Sequence, residues 1–227
     1  MIADELKREI ESYASRLIQS SELFELARGG QITRAAMTGY VANLRTLVLA
    51  TQPNLRLAAF CAKELGRPEL ASYFESKRRE EEGHERWADE DMMRLGRAPA
   101  DRALEPSTAI SELLDYLRGA ILDEPVAYLG YMLLAEYVTV LVGPELLALL
   151  ERRCGIPASS LTVIGHHVEL DKDHAEDDLR EIDAAASDPR YFAPMMRTVK
   201  TSMRYFDAFW GEICAAVRRE RAEHAVA

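Results

Sequence analysis

The chain has 227 residues, 48% hydrophobic and 29% charged, with a formal net charge of −10. This length supports a substantial core, as one large domain or two small ones, and the acidic balance argues against a nucleic-acid or anionic-membrane surface. No apolar run reaches the ~18 residues of a membrane span, the opening Met1-Ile2-Ala3-Asp4-Glu5-Leu6-Lys7 is charged rather than signal-like, and Cys61, Cys154 and Cys214 form no CxxC pair, so the expectation is a cytoplasmic protein with buried, reduced thiols.

Helical periodicity dominates in chain order, and no stretch alternates as a strand would. A first helix is expected from about Asp4 to Ala27, ended by Gly29-Gly30. A second starts at the N-cap Thr33 and runs to about Thr51; Pro53 opens a shorter one that stops at Gly66. Pro68 starts a long helix ending at Leu95-Gly96, followed by a polar loop over 97–106. Ser107 or Thr108 caps the next helix, which ends near Asp123-Glu124. The apolar segment from Pro125 to Val142 meets Gly143-Pro144, where a kink or break is expected before the helix resumes to Arg153 and ends at Gly155. A helix from Ser159 to Ser187 follows, and after Asp188-Pro189 a last one reaches about His224. With no long linker or repeat, these seven to nine helices make one all-α domain over residues 1–227.

Three of the chain's five histidines lie between 166 and 174. His167, Asp171 and His174 stand at i, i+4 and i+7, so one helical face carries two imidazoles and a carboxylate. His166 points about 100° away and is read as a bystander or as a group supporting the ligands from behind, and Glu169 and Asp173 are expected to be solvated. The helix 68–96 contains Glu81-x-x-His84, a ligand spacing of carboxylate bundles that would place both groups on one helical face. Glu80, four residues before His84, is the alternative first ligand. Glu80 and Glu82 otherwise read as a solvated face beside Lys77-Arg78-Arg79. In the apolar segment Glu136 is the only charged residue after Pro125. A buried lone carboxylate needs a metal, a Lys or Arg, or a raised pKa.

Glu81, His84, Glu136, His167, Asp171 and His174 thus form a set of three carboxylates and three imidazoles without thiolate, which suits iron or manganese better than structural zinc. Six ligands exceed the need of one open catalytic metal. Two ions bridged by Glu136 or Glu81 account for them.

Glu-x-x-His, an isolated Glu on an apolar helix and His-x3-Asp-x2-His together resemble the haem-oxygenase-like di-iron oxidases and oxygenases, from roughly the second helix onward. His-x3-Asp-x2-His is the most specific element. The resemblance implies a haem-oxygenase-like bundle around a central pocket, with two irons bound by the six residues above. It also implies O2-dependent oxidation of a small organic substrate of amino-acid, fatty-acid or aromatic type, in a homodimer. Several members place the first carboxylate seven residues before the His, where this chain has Lys77. Haem oxygenase itself uses a His on its first helix, and no His here precedes His84. The TenA thiaminases use a Cys in the central apolar helix, and the segment 125–142 has none. The rival readings are a metal-free TenA-like hydrolase and a non-enzymatic metal- or ligand-binding protein on the same fold.

Overall fold

A computed structural model describes residues 2–97, 105–185 and 188–226, with side chains to residue 223. Among the described residues there are nine α-helices and no strand: α1 (Ile2–Ser20), α2 (Glu22–Arg28), α3 (Arg34–Glu64), α4 (Pro68–Glu80), α5 (Glu85–Arg94), α6 (Thr108–Asp123), α7 (Ala127–Cys154), α8 (Thr162–Ala185) and α9 (Phe192–Val226). Most of the expected polar loop 97–106 and the expected helix end at Ser187 lie outside the described residues. α7 runs through the centre of the bundle, packed on α8, α9, α1 and α2, while α3 packs against α4, α5 and α6.

Four helix boundaries differ from the sequence reading, each for a local reason. The first expected helix is two, because Ser21 leaves helical backbone and caps α2 by accepting from the Phe24 amide. Pro53 does not start a helix but lies inside α3. It removes one backbone bond, and tertiary packing of Asn54, Leu55, Ala58, Ala59 and Ala62 holds the helix together across it. α7 is likewise continuous through Gly143-Pro144. There the missing side chain serves packing: a Cβ on Gly143 would lie 2.5 Å from Val168 Cγ2 on α8. The fourth difference matters most. The expected helix 68–96 breaks at residues 81–84, where Gly83 takes φ +92°, a conformation open chiefly to glycine. Glu81 is the C-cap of α4 and His84 precedes α5, so the two residues meet across a turn rather than along a helix face.

Two further expectations need correction. α7 is long and apolar enough to cross a membrane by length and composition, but here Ala127–Leu134 are all buried within the bundle. Only Cys214 is a fully buried thiol; Cys61 and Cys154 are partly exposed.

Candidate metal centre

α8 supplies one wall of the site. Its buried positions Ile164, Val168, Asp171, Ala175, Asp178 and Ile182 step by four and three residues, the stripe of a core-facing helix. Asp171 and Asp178 occupy places where apolar side chains are the rule, and His167 and His174 flank the stripe. His166, Glu169 and Asp173 are exposed, in line with the sequence reading. The start of α8 is held by Asp91 of α5, which is fully buried. It accepts from the Val163 amide and the Thr162 hydroxyl, both at 2.7 Å, and from Arg94 at 2.9 Å.

The α4–α5 turn, α7 and α8 bring the expected side chains together. His84 Nδ1 lies 3.0 Å from Glu81 Oε2. His174 Nδ1 lies 3.8 Å from Glu81 Oε1, 3.9 Å from Glu136 Oε1 and 3.6 Å from Asp171 Oδ1. Among the described residues, two sets offer ligand atoms within 4.8 Å of one another: Glu81, His84 and His167, and Glu81, Glu136 and His174. Glu81 is common to both, as a bridging carboxylate would be. Asp171 borders the second set through His174 but is not within it. Glu80, the alternative first ligand, stands at the rim: its side chain is 41% exposed, lies 3.7 Å from the outer nitrogen of His174 and pairs with Lys77 at 3.9 Å.

The donor chemistry fits a cation. His167 Nδ1 is 2.7 Å from the Val163 carbonyl, which can only accept, so Nδ1 carries the hydrogen and a neutral ring presents Nε2 as a lone pair. Glu136 Oε2, Asp171 Oδ1 and His174 Nδ1 are buried without a hydrogen-bond partner, an arrangement unfavourable for the protein alone. Trp87 stacks on His84 with centroids 4.2 Å apart and fixes that ring.

Electrostatics separate the two halves. Burial raises the Glu81 pKa, but the His84 hydrogen bond and the nearby imidazoles outweigh it, leaving Glu81 below the usual carboxylate range. Glu136 is pushed well above that range by burial and by the charge of Asp178, against the opposing pull of Lys77. Burial likewise raises Asp178 to about 6, against Lys77 and the Tyr73 hydroxyl, which donates to it. Asp171 is raised by burial, partly offset by His174.

Asp178, Lys77, Tyr73 and Trp87 are the site residues that motif reading missed. Asp178 was reachable, since it continues the 171 stripe by seven residues.

A pH prediction follows from Asp178. A carboxyl whose pKa is raised on folding stabilises the folded chain below its unfolded value and loses that contribution as pH rises through the folded value. The metal-free wild type should therefore lose stability relative to Asp178→Asn between about pH 4 and about pH 6, by on the order of 2 kcal/mol. Denaturant unfolding of both proteins across that range measures it; a pH-independent difference would rule it out.

A cavity of about 170 Å³ opens onto the site, bounded at one end by Lys77, Glu81, Glu136, His167 and Asp171. Its walls are apolar, with Leu44, Leu47, Val48, Val138, Val142 and Leu146 along α3 and α7. Cavities of roughly 150 Å³ with such walls take a benzene-sized guest.

Comparison with known proteins gives the family and the fold. Residues 39–206 match the family model described as iron-containing redox enzyme. The chain belongs to that family. Its fold is haem-oxygenase-like: it matches the crystal structure of a domain of unknown function with a heme oxygenase-like fold from Shewanella denitrificans OS217. That match has a TM-score of 0.84 at 20% identity and covers 96% of this chain and 93% of that one. A CADD-like protein of unknown function from Nostoc punctiforme PCC 73102 matches with a TM-score of 0.68 at 17% identity, over 94% of this chain and 98% of that one. No curated protein matches the sequence.

Proposed function

We propose that this family member is a non-haem di-iron enzyme that uses O2 to oxidise a small, largely apolar organic molecule held in the cavity beside the centre. The observation that carries the reading is Glu81, the one carboxylate common to two ligand sets that draw on the α4–α5 turn, α7 and α8. Glu81, His84 and His167 would hold one ion, and Glu81, Glu136 and His174, with Asp171 adjacent, the other. Bound iron, with manganese as the alternative metal, would supply the electrons and open coordination positions for dioxygen reduction.

The protein's own part is placement. The bond from His167 to the Val163 carbonyl sets that ring's orientation, and Trp87 sets that of His84. The aliphatic wall of α3 and α7 takes an alkyl or aromatic body and keeps water from the polar end. A TenA-type hydrolase would need a thiol at the cavity. Although α7 does contain a cysteine, Cys154 is its last residue, outside the cavity lining, with Sγ 3.6 Å from the Ala27 carbonyl.

Anaerobic reconstitution with ferrous iron followed by O2 exposure tests the reading. The expected result is more than one bound iron per chain, an absorption change on oxygenation and O2 consumption. Binding of less than one iron with no optical change would sink it.

A further inference from the structure

Lys77 is only 2% exposed and carries its ammonium into the metal centre. Lysine is almost never this buried without a partner. Its nitrogen lies 3.7 Å from Glu136 Oε1, 3.9 Å from Glu80 Oε2 and 3.5 Å from the His174 carbonyl oxygen. The His174 ring addresses the same two carboxylate oxygens, with Nδ1 3.9 Å from Glu136 Oε1 and Nε2 3.7 Å from Glu80 Oε2. The ammonium and any ion held by His174 and Glu136 therefore converge on one corner of the site. The other half differs: Glu81 pairs with His84 and His174, whereas Lys77 pairs with Glu80 and Glu136.

We propose that Lys77 is a built-in cation competing for the second metal position. The chain then holds one metal firmly at Glu81, His84 and His167, and a second at Glu81, Glu136 and His174 only weakly, when the lysine gives way. The inference rests on the di-iron reading and refines it. Its physical basis is charge: a divalent ion at the second position would face an ammonium bound to the same Glu136 oxygen, in a site too buried for water to screen the repulsion. Glu80, the other carboxylate partner of Lys77, is 41% exposed at the rim and offers the ammonium a place when it leaves Glu136, so the position is hindered rather than blocked. Oxidation needing both ions would then wait on the movement of one side chain, and a chain with a single ion would be the resting form at low iron.

Metal titration tests this without any assay of turnover. Metal-free protein is titrated anaerobically with ferrous iron by calorimetry, and with manganous ion by the electron paramagnetic resonance of the free ion. The wild type should bind one equivalent tightly and a second at least roughly tenfold more weakly, the scale on which neighbouring groups tune metal sites. Lys77→Met keeps the stem and removes the charge. It should strengthen the second site by at least roughly tenfold and leave the first within about threefold. Two equivalents of equal affinity in the wild type, or an unchanged ratio in Lys77→Met, would overturn the role of Lys77 and leave the di-iron reading standing. Failure of the wild type to bind even one equivalent would overturn both. The wild-type titration decides the matter alone if Lys77→Met does not fold.

Discussion

Glu81→Ala is expected to weaken metal binding at both positions, lowering affinity for ferrous iron by at least about 100-fold at the stronger one. Replacing groups that only support a ligand already weakens metal sites by roughly 10–100-fold, and Glu81 is a candidate ligand in both sets. In the first set it is the only carboxylate, so the variant leaves two neutral imidazoles, His84 and His167, with no negative charge to offset a divalent ion. Two comparisons make the result specific. Glu80→Ala, at the exposed rim, should retain the tight site. His174→Ala should lose only the second position, because the set of Glu81, His84 and His167 does not include it. Anaerobic calorimetric titration with ferrous iron, which reads both positions, gives the answer, with circular dichroism to verify the fold. If Glu81→Ala kept both ions, the assignment of Glu81 as the bridge would be wrong.

Asp91→Ala is expected to be strongly destabilising, by about 3 kcal/mol, because the Val163 amide and the Thr162 hydroxyl at the start of α8 lose their buried acceptor. Asp91 is fully buried and takes three hydrogen bonds, from the Val163 amide, the Thr162 hydroxyl and Arg94. One of these satisfies a free amide in the first turn of α8, where the helix dipole also favours a negative charge. In a chain of this size, each kcal/mol moves the melting temperature by roughly 2–4 °C, so a fall of more than about 6 °C is anticipated. Asp91→Asn keeps the shape and an accepting oxygen and should lose less. Because His167 lies only one turn beyond Val163, loosened iron binding should accompany the lower melting temperature. Scanning calorimetry of the metal-free variants measures the first effect and titration the second. Melting within 2 °C of wild type would show, on the same scale, that the cap is dispensable.

Much of the fold could be read from the chain because its helices announce themselves by period and cap: Thr33 and Ser107 cap as expected, and Gly155 takes the left-handed conformation after α7. Proline misled twice for one reason. Pro53 and Pro144 each remove one backbone bond, and the packing of α3 and α7 against their neighbours outweighs that loss. The His167, Asp171 and His174 grouping was legible because a single helix fixes it. Glu81 and His84 were named from a helical spacing, yet they meet through a turn set by Gly83, since three residues of turn can also bring two side chains together. The role of Lys77 was not legible. In sequence it begins the run Lys77-Arg78-Arg79 and looks like surface; only its contacts with Glu136 of α7 and the His174 carbonyl of α8 show that this one member of the run points inward.

The turn at residues 81–84 also bears on how the chain holds its shape. Side chains from positions 81, 136 and 174 meet at one point although long stretches of chain separate them. An ion held there would act as a removable cross-link, closing loops of the length at which a covalent bridge restricts the unfolded chain by about 4 kcal/mol or more. Occupancy of the centre would then be readable as resistance to proteolysis, and iron supply would set the lifetime of the protein as well as its capacity for chemistry.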